Sequence, residues 1–159
     1  MSRLLSSDLA EAQRRSVHSD TQLVLLIGAD PAALRSAAGD ATTATGWPLL
    51  DLNTALAEQL IGLTPAERAD EAWDALDRVV DPFRGGVVIS STDILFEPTL
   101  GYRPYEALRR MGRRLPIVAT WLGRVENGDV IRSEPGHPEY TRARLDVPFV
   151  AIPSQGEPS

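Results

Sequence analysis

The chain has 159 residues, 43% hydrophobic and 24% charged, and a formal net charge of −6. That fits one domain with one core, of ordinary globular composition. There is no cysteine, His18 and His137 are the only histidines, and all 16 basic residues are arginine; disulfides, thiolate metal sites, a cysteine nucleophile and lysine-dependent chemistry are excluded. A uniformly acidic chain is repelled by nucleic acid unless basic side chains gather locally. No apolar run approaches the ~20 residues that span a bilayer. MSRLLSSDLAEAQRR lacks an apolar signal-peptide core. The expectation is a cytoplasmic protein with no membrane association.

Residues 1–20 read as an N-terminal helical segment, with a helix over 7–17 capped by Ser6 or Ser7. LVLLIG, Leu23 to Gly28, is a continuous apolar run suited to a strand buried on both faces of a parallel sheet. Asp30 is a good N-cap and Pro31 a good first helical residue, and Gly39 is placed to end the helix PAALRSAA. WPLLDL, Trp47 to Leu52, predicts the second strand, and Asn53 can cap a helix to about Ile61, closed by Gly62. Thr64-Pro65-Ala66-Glu67 is a capping box. The helix behind it carries an apolar stripe of Ala69, Ala72, Trp73, Leu76, Val79 and Val80, with acidic residues mostly elsewhere. Gly85-Gly86 precede a third strand, Val87 to Ser90. A loop, a helix from Pro104 to near Gly112, and a fourth strand from Pro116 to Leu122 follow. Asn127-Gly128 between Val125 and Val130-Ile131 predicts a type I′ hairpin. Val147 to Ile152 is a last short strand, and 153–159 reads as a disordered tail. Strands alternating with helices over 21–152 predict an α/β domain with a doubly wound, mainly parallel sheet.

In such folds ligands sit at the carboxyl ends of the strands, and the first strand-to-helix turn is the natural place for phosphate. A working phosphate loop reads G-x-x-x-x-G-K-[ST]. Here the stretch is GADPAALR. Gly28 matches the first glycine, but Ala33, Leu34 and Arg35 stand in place of the second glycine, the lysine and the hydroxyl residue. Asp30 adds negative charge where phosphate would lie, and Pro31 removes an amide donor. Ser90 stands where the third strand of a hydrolase places its magnesium-binding acid, with Asp93 and Glu97 nearby. These residues describe either a degenerate phosphate loop or a βα turn that never bound phosphate. Both exclude hydrolysis by the usual P-loop mechanism, and neither calls for a cofactor: ATP and magnesium are not expected.

Taken in order, LVLLIG, WPLLDLN, ISSTDILFEPTL, VATWLG and EPGHPEY resemble BrxF, the family of small P-loop proteins of type 3 BREX bacteriophage-defence systems, over about residues 20–152. Asp93 to Pro98 and Glu134 to Tyr140 are the most distinctive pieces. The resemblance implies a P-loop NTPase fold of the ASCE or AAA-like kind, with a parallel sheet ordered 5-1-4-3-2. It implies BREX defence proteins as partners, among them a large AAA ATPase, a DNA methyltransferase, a helicase and an alkaline-phosphatase-like protein. Family members carry a recognisable phosphate loop and an acid ending the third strand. This chain departs at Ala33-Leu34-Arg35 and at Ser90, which implies a non-catalytic scaffold or regulator of an ATPase partner. One alternative is a nucleotide-binding ATPase with atypical ligands, among them Arg35. The other is a nucleic-acid-binding module using the Arg103–Arg114 region.

Two further groups stand out. Glu134, His137, Glu139 and Tyr140 lie in EPGHPEY, readable as a general base or metal ligand beside glutamates, or as a rigid turn set by Pro135, Gly136 and Pro138; the turn is expected, and no metal site. Arg103, Arg109, Arg110, Arg113, Arg114 and Arg124 could contact DNA phosphates or a neighbouring protein, or simply lie on a solvated helix end. With the acidic helix of 65–81 they could also form a head-to-tail contact between copies of the chain. Charge reversal at Arg109, Arg110, Arg113 and Arg114 is expected to weaken association and leave folding intact.

Overall fold

The computed structural model describes residues 3–155. In chain order the elements are α1 (Arg3–Ser16), β1 (Leu23–Gly28), α2 (Pro31–Thr45), β2 (Leu49–Asp51), α3 (Leu52–Leu60), α4 (Pro65–Val80), β3 (Val87–Ser91), α5 (Pro104–Arg114), β4 (Ile117–Leu122), β5 (Arg124–Glu126), β6 (Asp129–Arg132), β7 (Thr141–Arg144) and β8 (Phe149–Ala151). Two short 3-10 turns, Asp93–Phe96 and Pro98–Leu100, fill the connection from β3 to α5.

Five strands form one sheet in the order β2-β3-β4-β1-β8, every pair parallel. Counted within that sheet alone, this is the order 5-1-4-3-2 that the resemblance implies. Alternation along the strands divides the core. Leu23, Leu25 and Ile27 face α3, α4 and α5, whereas Val24 and Leu26 face α1 and α2. Helices thus cover both faces, and β1 is buried throughout, as its unbroken apolar run requires.

A second, antiparallel sheet of order β5-β6-β7 follows β4. Asn127 and Gly128 have φ of 51° and 81°, the two left-handed residues of a type I′ turn. β7 has no counterpart in the sequence reading; its Thr-Arg-Ala-Arg is polar and carries no apolar alternation. Trp121 anchors the junction of the two sheets. It is fully buried, donates from Nε1 to the Ile131 carbonyl at 3.1 Å, and meets Phe96 and Tyr105 edge-on.

Several boundaries differ from the sequence expectation. α1 begins before Ser6 and Ser7, because Leu5, Leu9, Ala12 and Ser16 form one buried helical stripe. α2 runs through Gly39 and ends at left-handed Gly46, since Ala37, Ala38 and Ala41 continue its buried face. α3 is capped by Asp51, which accepts from the Thr54 amide, and Asn53 lies inside the helix. α4 has the expected capping box, but Ala69 is exposed and Ala75 is buried in its place. α5 continues past Gly112, which packs against β1. β2 is shorter than Trp47 to Leu52, β3 extends to Ser91, and β8 starts at Phe149. Of the expected tail, residues 153–155 are described and held to the domain at Gln155, and 156–159 lie outside the described residues. No helix among the described residues is long and apolar enough to cross a membrane.

Candidate functional site

The carboxyl ends of the parallel strands carry two adjoining features. The first is the β1–α2 turn. Asp30 caps α2 from extended backbone. Its Oδ1 accepts from the amides of Ala32 (3.0 Å) and Ala33 (3.4 Å), and its Oδ2 from the amide of Gln155 (2.9 Å). The Leu34 amide donates to the Asp30 carbonyl at 3.0 Å, and Pro31 has no N–H. The amides that a phosphate would take at this helix start therefore already have acceptors within the chain. The Gln155 N–H is the main cause that holds the Asp30 carboxyl below its ordinary range, assisted by the Ala33 and Ala32 amides and the charge of Arg35. The C-terminal segment lies across this turn. The Ile152 amide donates to the Ile27 carbonyl at 2.8 Å, and a Cβ on Gly28 would stand 2.6 Å from the Ile152 oxygen.

Leu34, Arg35, Ser90 and Asp93 share a cleft of about 80 Å³ beside this turn, far below the ~300 Å³ at which small-molecule sites begin. Ala33 and Leu34 are buried, and Arg35 is exposed. Ser90 donates its hydroxyl to the Leu50 carbonyl at 3.4 Å. Thr92 and Thr120, which the sequence does not mark, tie the strand ends together: Thr92 donates to the Thr120 carbonyl and Thr120 to that of Ser90.

The second feature is built on Arg132 at the end of β6. It is 7% exposed and fixed by three contacts. Its Nη1 donates to Asp93 Oδ1 at 3.0 Å; Nε and Nη2 donate to Glu139 Oε1 at 3.0 and 2.5 Å; the guanidinium lies 4.1 Å from the centre of the Phe96 ring. Asn53 joins from α3, its Oδ1 accepting from the Ile94 amide at 2.8 Å and its Nδ2 lying 3.5 Å from Asp93 Oδ2. Asp93 and Glu139, separate candidates in the sequence, are thus bound to one buried cation. They rim a groove of about 640 Å³ between α3, the start of α4 and the two 3-10 turns.

In EPGHPEY the chain makes two consecutive turns. His137 and Tyr140 donate their amides to the carbonyls of Glu134 and His137, both at 3.0 Å, and Gly136 has φ of 95°. His137 Nδ1 accepts from the Glu139 amide at 3.0 Å. Glu134 pairs with Arg124 and Glu139 with Arg132, so both carboxylates answer arginines rather than the imidazole. Among the described residues no group of three histidine or acidic side chains is placed to hold a metal.

Most of the arginines grouped by sequence are engaged inside the chain. Arg110 makes a two-toothed bond to Asp77 (3.0 and 2.7 Å) and lies over Trp73. Arg114 binds Asp81 at 2.5 Å, and Arg109 binds Asp146. Arg124 pairs with Glu126 and donates to the Ser133 carbonyl. Arg103 and Arg113 are exposed and make no ion pair among the described residues. The acidic and basic helices α4 and α5 therefore meet each other within one chain. Charge reversal of all four α5 arginines would break contacts of the fold itself, contrary to the expectation of intact folding. Compared with protein-family models, curated proteins and solved structures, the chain matches none.

Proposed function

We propose that this chain is a P-loop-like, non-catalytic component of a BREX-type antiphage defence system, which scaffolds or regulates a partner such as an ATPase. The carrying observation is that the Asp30 carboxylate takes the amides of the first turn of α2. A phosphate arriving there would meet a fixed negative charge, no lysine and a cleft of about 80 Å³. The all-parallel sheet and its strand order support the P-loop likeness, and the sequence motifs supply the defence-system context. The internal pairing of Arg109, Arg110 and Arg114 weighs against a nucleic-acid surface on α5.

The test is calorimetry with magnesium-ATP and magnesium-ADP, beside a phosphate-release assay. No binding heat and no turnover above background are expected. Micromolar binding, or turnover that tracks the purified chain, overturns the reading. Coexpression with the other BREX proteins should give a complex that survives purification, and failure to capture any of them removes the scaffold role.

A further inference from the structure

We infer that the groove beside the Arg132 cluster docks a partner protein's segment in which arginine or lysine stands next to aliphatic side chains. This deepens the scaffold reading and rests on it. The groove holds about 640 Å³, and Leu60, Ile61, Ile94 and Leu100 supply its apolar surface. Ile61 lies just beyond α3 and is 79% exposed, more than any other large hydrophobic among the described residues. An aliphatic side chain held in water at the rim of an apolar groove gains from being covered.

Charge selects the occupant. Asp93, Glu97 and Glu139 line the groove against a single arginine, Arg68. Arg132 lies behind Asp93 and Glu139 and answers one oxygen of each. Thr99 donates its amide and hydroxyl to Glu97 Oε1. The hydrogen bonds that Glu97 and Glu139 accept from side chains and from the Thr99 amide fall on Oε1 of each, and both residues line the groove. Even with Arg132 counted, three carboxylates face two guanidiniums. An anionic ligand is repelled, and a cationic donor beside aliphatic groups is complementary to both halves of the lining. The same features describe a helix or strand segment of a protein with basic and aliphatic residues on one face.

The experiment selects peptides from a random dodecapeptide phage library on the full-length chain and titrates synthetic versions by fluorescence anisotropy. Enriched peptides should carry arginine or lysine beside leucine, isoleucine or valine, and should bind less tightly as salt rises. Ile61→Asp and Glu97→Arg, both at exposed positions, should each weaken binding about tenfold or more. Arg84→Glu, on an exposed residue before β3 at the other end of the sheet, should leave it unchanged. Circular dichroism and urea midpoints establish that each variant is folded. No enrichment, enrichment of acidic peptides, or affinity indifferent to both groove variants overturns the inference. Magnesium-ATP binding with peptide binding intact would sink the non-catalytic scaffold reading while leaving the groove standing, so the two failures are separable.

Discussion

Arg132 joins two parts of the chain that are far apart in sequence: the 3-10 turn that carries Asp93 and Phe96, and the turn at Glu139, meet on one guanidinium. Its stem and head are buried, whereas the side chains of Asp93 and Glu139 remain 59% and 40% exposed. Removing the arginine therefore leaves carboxylates that water can solvate, and the loss is of charged hydrogen bonds, stacking and packing. Arg132→Ala should cost about 2–3 kcal/mol. Asp93→Ala should cost about 1 kcal/mol or less, because Arg132 keeps Glu139. Urea denaturation of both variants measures the difference, and equal costs would mean that Arg132 is not the hub.

At the scale of elements, two helical glycines make opposite cases. Gly39 lies in the middle of α2, exposed, with nothing within 4 Å of the place a Cβ would occupy. There glycine only costs backbone entropy, so Gly39→Ala should stabilise by about 0.5–1 kcal/mol. Gly112 lies in α5 where a Cβ would come within 3.0 Å of Leu23 Cβ and of Thr21 Cγ2, and its carbonyl accepts from the Gln22 amide at 2.8 Å. The sheet side cannot yield without moving β1, so Gly112→Ala should destabilise by about 1 kcal/mol despite alanine's better helix propensity. Thermal midpoints should move up for the first and down for the second; a shift of the same sign in both would refute the packing argument.

Across the whole molecule, the net charge of −6 hides local neutralisation. Asp77 on α4 and Asp81 just beyond its end are set against Arg110 and Arg114 of α5. Hydrogen bonding from Arg110 is the main cause that lowers the Asp77 pKa; burial opposes it, and the charges of Arg110 and Arg114 assist. A carboxyl whose pKa falls on folding contributes stability that is full above its unfolded value, about 3.9, and lost as pH drops through the folded value. Arg110 is more than a third exposed, so solvent screening limits the pair to about 1 kcal/mol. The stability gap between wild type and Asp77→Asn should be present at neutral pH and close as pH falls below about 4. Urea midpoints across that range test it, and a gap constant with pH would mean that the ion pair is not its source. For probing an interface on α5, Arg103 and Arg113 are the clean positions, since their substitution breaks no ion pair among the described residues.

The elements whose cause is local were legible in the residues. β1 follows from an apolar run, the start of α4 from a capping box, the β5–β6 hairpin from Asn-Gly, and the start of α2 from Asp30-Pro31. The exclusion of lysine-dependent chemistry at the β1–α2 turn was legible too, because the chain contains no lysine. Three things were decided only in the folded chain. Gly39 and Gly112 look alike as helix stops, yet the buried faces of α2 and α5 carry both helices through them. The arginines of α5 look like a free basic patch until α4 and the segment at Asp146 are placed beside them. The groove and its buried Arg132 draw on α3, the start of α4, the 3-10 turns, β6 and the turn at Glu139, so no single stretch announces them. Backbone preference acts over a few residues and can be read along the chain, whereas burial and charge pairing depend on which distant segments share a surface, and only the packing of helices, turns and both sheets sets that.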